Sequence, residues 1–349
     1  MSPRVPLTMV VHGPEPFDCG DVRTLLSAMG QVRTLVAGVM GRTAAEESGL
    51  PVECCSVPPS MVLNDAGGQV FLLNHGKTPI SGRAFGEIIA GRIRCGGLVH
   101  VECAAERVYL WNDGDVDLAR RLSAVFGYKV ERVTARRSEG GTRRAVQGCL
   151  PGEPVCVNGT VIGEATSEMV VLEEHDGRVV PVAGLSPKPH GLEKLHRHAP
   201  LSLADAWCKS GTIRRGQATA TADGNRCPED GRVALIDHCG HHFYDLITPE
   251  TCGVLTIGDD TTAVVGHIAL HLGIPVLGIT DGDLDGVIGE TFPAGSVVLR
   301  VTEGRDDDLG LELAETIPPY QVTWQTWVSE AIVAVEDRTE VALDLRSEC

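Results

Sequence analysis

An α/β protein is predicted here: two open, largely parallel-sheet lobes joined by a small antiparallel β insert. Three observations predict it. Strand-sized apolar runs alternate with amphipathic stretches through the first 135 residues. The same rhythm returns after Arg232, and turn-rich alternating runs lie between the two series. Alternation of strand and helix signals is the mark of a parallel sheet covered by helices, whereas closely spaced turns mark hairpins.

In the first lobe, residues 1–147, strands are predicted near 6–12 (PLTMVVH), 33–38, 51–57, 69–74 (QVFLLN), 98–103 and 107–111. Helices are predicted at 20–29, 41–49, 82–92 and 115–127. Residues 131–147 read as a polar linker, with Arg132, Arg136, Arg137, Arg143 and Arg144 as either an anion-binding arm or a solvated loop. Residues 148–226 form the predicted insert and linker. Asn158-Gly159 and Asp176-Gly177 read as tight hairpin turns, because both dipeptides tolerate positive φ. One helix is predicted at 202–210 (SLADAWCKS). In the second lobe, residues 227–349, strands are predicted at 233–237, 254–258, 274–280 and 296–301. A helix at 261–273 is expected to take Asp260 as its N-cap.

Composition narrows the class. Hydrophobic residues at 43% with 22% charged residues describe a globular chain, long enough for two or three domains. The opening segment has no long apolar run, so neither a signal peptide nor a membrane span is expected, and the expected location is the cytoplasm. Twelve cysteines without a CxxC pair fit reduced thiols better than a disulfide scaffold. Residues 1–226 hold 25 Lys and Arg against 24 Asp and Glu, a net of +1, whereas residues 227–349 hold 5 against 23, a net of −18. Such a lobe suits a salt-rich medium, where screening weakens self-repulsion. It also repels phosphate backbones, so no nucleic-acid partner is expected.

Ligands of open α/β sheets gather beyond the carboxyl ends of strands. In the acidic lobe those ends present Asp237-His238-Cys239-Gly240-His241-His242, Gly258-Asp259-Asp260-Thr261-Thr262 and Thr280-Asp281-Gly282-Asp283-Leu284-Asp285. Clustered carboxylates raise one another's pKa unless a cation neutralises them, and oxygen-only ligands suit Mg²⁺ or Mn²⁺. Asp259, Asp260, Asp281, Asp283 and Asp285 are therefore the candidate metal ligands, with Zn²⁺ or Fe²⁺ as alternatives if thiols and imidazoles contribute. His238 and His241 are the candidate acid/base groups. Thr261 and Thr262 at a helix start, with Lys77, Thr78 and Arg42 at strand ends of the first lobe, are candidates for holding a small anionic substrate.

Several motifs fail on inspection. Asp281–Asp285 is not an EF-hand, since Glu290 falls too early. It resembles the DxD element of Toprim-type phosphoryl-transfer domains, but Asp237-His238 stands where those place Glu-Gly. Gly76-Lys77-Thr78 lacks the earlier glycine of a P-loop, because position 71 is Phe71. His267 and His271 share a helix face without a zincin glutamate between them, and the spacing of Cys227, Cys239 and Cys252 matches no standard zinc finger. No GxGxxG or GxSxG motif follows any strand.

The blocks VVHGPEPFDCG, NHGKTPISGRAFG, VNGTVIGEATSE with KPHGLEKLH, and IGDDTT with GIPVLGITDGD together resemble an archaeal family, found largely in methanogens, known as a conserved domain of unknown function. The resemblance implies a cytoplasmic, anaerobic setting and no particular reaction. Two readings of the activity follow from the residues. One is a divalent-metal-dependent enzyme acting on a small phosphorylated or carboxylated substrate. The other is a non-catalytic ligand-binding or cofactor-maturation protein.

Overall fold

The computed structural model describes residues 7–94, 96–135, 142–197, 200–204, 206–219, 227–282 and 290–346. The fold is α/β as predicted. The chain divides into two compact units, one of Met1–Val155 with Gly163–Gly211 and the other of Cys156–Ile162 with Thr212–Cys349. Among the described residues no helix is long and apolar enough to cross a membrane.

The first unit begins with β1 (Leu7–His12), α1 (Glu15–Asp18), α2 (Asp21–Met29), β2 (Arg33–Ala37), α3 (Val39–Ser48), β3 (Glu53–Cys55) and α4 (Pro59–Asp65). It continues through β4 (Gln69–Asn74), α5 (Pro79–Arg92), β5 (Leu98–Glu102), β6 (Arg107–Trp111), α6 (Val116–Phe126) and β7 (Lys129–Val133). These strands form one sheet in the order β3-β2-β1-β4-β5-β6-β7. All neighbours are parallel except β5 and β6. Successive residues of a strand face opposite sides, so both faces must be apolar when helices cover both. Met9, Val11, Phe71 and Leu73 accordingly pack with Val22, Leu25, Leu118 and Leu122 on one side. Val10, Leu35 and Leu72 pack with Val62, Leu63, Ile89 and Ala90 on the other.

Beyond β7 come β8 (Arg143–Gln147), β9 (Pro154–Val157), β10 (Thr160–Ala165), β11 (Met169–His175), β12 (Arg178–Ala183), β13 (Leu185–Pro187), α7 (Pro189–Arg197) and β14 (Cys208–Ser210). They build two small sheets, β12-β11-β8 and β13-β10-β9-β14. Both hairpin turns form as expected: Asn158, Gly159, Asp176 and Gly177 all have positive φ between 49° and 86°. Two expectations are corrected. The stretch 131–147 is not all linker, because its ends belong to β7 and β8; Arg136 and Arg137 lie outside the described residues. The stretch 202–210 is not a helix. Cys208–Ser210 is a strand beside β9, so sheet pairing overrides the local helical pattern.

The second unit runs from β15 (Asp230–Asp237) through a single helical turn at Gly240–His242, α8 (Phe243–Leu246), β16 (Thr251–Ile257), α9 (Asp259–Leu272) and β17 (Val276–Thr280). Then follow β18 (Val297–Val301), α10 (Asp306–Glu315), β19 (Val322–Thr323), α11 (Trp324–Val335) and β20 (Thr339–Asp344). Strands β15 to β18 are parallel and adjacent in chain order, so their carboxyl ends share one edge. Antiparallel β19 and β20 close the flanks. Every residue of β16 is buried, as a central parallel strand requires.

Helix α10 lies close to this sheet because Gly310 has no side chain. A Cβ there would stand 2.6 Å from Ile257 Cγ1. The close approach carries the first turn of α10, with Asp306 and Asp307, toward the end of β16. Gly310→Ala is therefore expected to lower stability by about 1–3 kcal/mol, the usual cost of overpacking. Urea unfolding measures it, and an unchanged midpoint would show that α10 is not held against Ile257.

Candidate functional site

Four segments meet at the carboxyl edge of the second sheet. Asp237 ends β15 and His238 follows it, Gly258-Asp259 leads from β16 into α9, Asp281 follows β17, and Asp306-Asp307 begin α10. Ligating atoms of Asp259, Asp281 and Asp306 lie within 4.8 Å of one another, as do those of His238, Asp306 and Asp307. Asp306 belongs to both groups. The two groups are thus one continuous cluster with a shared carboxylate.

Hydrogen bonds fix the geometry. Asp259 Oδ2 accepts from the Asp281 backbone N–H at 3.1 Å and Oδ1 from that of Gly282 at 3.0 Å. Asp259 thereby ties the end of β16 to the turn beyond β17. Asp306 Oδ1 accepts from the Asp307 N–H at 2.9 Å, and Arg305 Nη2 donates to Asp307 Oδ2 at 3.0 Å. His238 has a left-handed φ of 49°, and its Nδ1 lies 2.5 Å from Asp237 Oδ1. Its Nε2 is directed at Asp307 Oδ1, 3.4 Å away, without a well-formed hydrogen bond. The ring fits because residue 258 is glycine: a Cβ there would stand 2.8 Å from His238 Nε2. A non-glycine residue held at positive φ is strained, and such strain persists where the surroundings over-determine it.

Electrostatics follow from the packing. Burial pushes the Asp259 carboxyl up to about 7, helped by a hydrogen bond to the Asp281 carboxyl and the charge of Asp306. Two carboxylates can hydrogen-bond each other only by sharing a proton. Around neutral pH the cluster thus holds a proton that a cation can displace. Carboxylate oxygens with one imidazole at the margin form a donor set suited to a hard divalent ion, which can orient a bound oxygen ligand and lower the pKa of bound water.

The sequence-predicted residues fall into three groups. Asp259, Asp281 and His238 are brought into the cluster. Asp283 and Asp285 lie outside the described residues. Asp260 is within the first turn of α9 and does not cap it; Gly258 occupies the N-cap, because the helix starts two residues earlier than the apolar pattern indicates. Thr261 is buried, and the Thr262 hydroxyl meets Thr256 Oγ1 at 2.8 Å inside the core. His241 is exposed and lies against His242, with ring centroids 4.1 Å apart. His267 is buried with Nε2 3.2 Å from Arg214 Nη1, and His271 is buried on the same helix. Cys227, Cys239 and Cys252 enter none of the ligand groups among the described residues.

The remaining candidates belong to the first unit. Lys77 Nζ is 2.5 Å from Glu153 Oε2 and 2.9 Å from Ser210 Oγ, so its charge is already met by a carboxylate. Thr78 caps α5 in a reciprocal pair of hydrogen bonds with Ser81. Arg42 Nε donates to Glu46 at 2.8 Å, one turn along α3. Sequence reasoning missed Asp306 and Asp307. Their signal was present, since the run Arg305-Asp306-Asp307-Asp308 follows the fourth predicted strand, but it resembles any acidic helix start in an acidic lobe.

The chain resembles an archaeal protein of known sequence. It is 31% identical over 332 residues to the "Uncharacterized protein MJ0065" of Methanocaldococcus jannaschii, covering 88% of this chain and 90% of that relative. No solved structure matches it. A family model described as "Uncharacterized protein conserved in archaea (DUF2117)" matches residues 9–320, and the chain belongs to that family.

Proposed function

We propose that this protein is a divalent-metal-dependent enzyme acting on a small anionic substrate, with Mg²⁺ or Mn²⁺ held by Asp259, Asp281 and Asp306. The observation that carries this reading is the convergence of these three carboxylates within 4.8 Å, two of them buried. Like charges so close are costly in a low-dielectric surrounding, and a divalent ion removes the cost. All-oxygen ligation favours Mg²⁺ or Mn²⁺ over softer ions.

In this reading a bound ion supplies Lewis acidity to a phosphoryl or carboxyl oxygen, or to water. His238 is the acid/base group. Asp237 holds its Nδ1 and so leaves Nε2 to exchange a proton at the cluster. Arg305, half-exposed and paired with Asp307, would meet an anionic substrate at the rim by exchanging that carboxylate for the substrate. A two-ion version has its own support: Asp306 is common to both ligand groups, as a bridging carboxylate is in two-metal sites. Calorimetric titration with Mn²⁺ separates one site from two.

Metal-free protein is expected to gain a few degrees in melting temperature on adding Mg²⁺ or Mn²⁺. Asp281→Asn and Asp306→Asn are expected to weaken Mn²⁺ binding by at least about tenfold with the circular dichroism unchanged. Binding that survives both substitutions would remove the metal from this site. Turnover of small phosphorylated or carboxylated compounds, lost in His238→Gln while Mn²⁺ still binds, is the outcome expected of an enzyme. Metal binding without any turnover would favour a ligand-binding protein.

The pH dependence has a definite sign. The folded pKa of Asp259 lies above its unfolded value near 4, so the folded state holds the proton more tightly. The resulting stability is fully present below about pH 4 and is lost as pH rises through about 7. Metal-free protein should therefore melt at a lower temperature at pH 8 than at pH 5.5, by more than Asp259→Asn does. Added Mn²⁺ should stabilise the natural chain more at pH 8. Equal pH slopes for the two proteins would show that Asp259 is not the titrating group.

A further inference from the structure

The geometry points to a second metal site, in the first unit, where Asp21, His75 and Cys103 bind a Zn²⁺ ion. Ligating atoms of these three residues lie within 4.8 Å of one another. Asp21 begins α2, His75 follows the end of β4, and Cys103 follows the end of β5. The side chains therefore gather at the carboxyl edge of the seven-stranded sheet, beside the point where its order reverses between β1 and β4. Ligands of open α/β sheets collect at such reversals.

A separate observation shows that the loops carrying His75 and Cys103 are held in place. Glu102 is a completely buried carboxylate. Its Oε1 accepts from the Gly76 N–H at 2.7 Å and the Ala104 N–H at 3.2 Å, and its Oε2 accepts from Asn74 Nδ2 at 2.5 Å. The Cys103 N–H in turn donates to the Asn74 carbonyl at 2.9 Å. Glu102 thus grips the residues on both sides of His75 and adjoins Cys103 on one side while holding Ala104 on the other. The strand-end positions of a thiol and an imidazole are fixed relative to each other before any ligand arrives. A buried carboxylate costs several kcal/mol unless well paired, and here the pairing goes to positioning two potential ligands. Gly82 makes the room, because a Cβ there would stand 2.2 Å from the Glu102 carboxyl carbon.

The donor set selects the ion. One nitrogen, one sulfur and one oxygen suit Zn²⁺ and exclude Mg²⁺ as the preferred occupant. His75 Nδ1 and Asp21 Oδ2 are 2.7 Å apart and joined by a hydrogen bond. Two ligands about 2.0 Å from a tetrahedral ion stand about 3.3 Å apart, so the ion replaces the bridging proton, which passes to solvent, with a small outward movement. Three protein ligands leave the fourth tetrahedral position to water or a small ligand.

A nucleophilic cysteine fits less well. Cys103 is buried, and burial together with the charges of Asp21 and Glu102 pushes its thiol far up. Nearby carboxylates oppose a bare thiolate, whereas a cation favours one. On binding, the thiol gives up its proton to solvent as the sulfur–zinc bond forms.

Cobalt(II) titration of the whole, metal-depleted chain under anaerobic conditions tests this site independently of the acidic cluster. The expected result is a near-ultraviolet thiolate-to-cobalt charge-transfer band with tetrahedral visible bands, removed by stoichiometric Zn²⁺. Cys103→Ser should abolish the charge-transfer band, and His75→Gln should weaken Zn²⁺ binding by at least about tenfold. Both losses should occur with unchanged circular dichroism, and Asp281→Asn should keep the band. If Cys103→Ser does not fold, the His75→Gln affinity decides. No thiolate band, a band that survives in Cys103→Ser, or Zn²⁺ binding unchanged in His75→Gln would overturn the assignment.

Discussion

Carboxylates packed against one another at the end of a parallel sheet set the conditions for the rest of the second unit. Asp259 and Asp306 are both buried, and Asp281 shares a hydrogen bond with the first. They cannot all carry full charge at this spacing without positive charge among them. The backbone N–H groups of Asp281 and Gly282 supply part of it, and the shared proton supplies more. The chain is already poor in cations here, with only five Lys and Arg after residue 226. The proposed metal ion would meet the need that side chains leave.

The backbone is shaped to keep those charges close. Gly258 gives the His238 ring its place, and Gly310 lets α10 descend on Ile257. Parallel pairing of β15 to β18 in chain order then brings Asp237, Asp259 and Asp281 to one edge without a reversal in strand order. The first unit uses a different device. Its sheet reverses direction between β1 and β4, and the buried Glu102 binds the two loops that follow β4 and β5. One unit concentrates carboxylates, and the other mixes oxygen, nitrogen and sulfur donors.

The fold was largely legible because parallel strands buried on both faces leave continuous apolar runs. The runs ending at His12, Asn74, Asp237, Ile257 and Thr280 are all strands. The same logic located Asp259, Asp281 and His238, since polar residues just past an apolar run mark a strand end. Asp306 was harder to see, because a helix rather than a strand presents it, and the packing of Leu309, Gly310 and Leu313 against the sheet brings it near. Asp21, His75 and Cys103 belong to no local motif; strand order alone makes them neighbours. The false helix at 202–210 shows the opposite limit, where a short amphipathic pattern yields to pairing beside β9. Lys77 looked like an anion ligand because the sequence hides its partner, Glu153, behind intervening elements.

The most direct measurement is the anomalous X-ray scattering of crystals soaked in Mn²⁺ at neutral pH. The account predicts an anomalous peak bounded by the carboxylates of Asp259, Asp281 and Asp306, within about 2.0–2.4 Å of their oxygens. A cluster in which Asp259 and Asp281 keep their shared hydrogen bond, with no Mn²⁺ between them under saturating conditions, would contradict it.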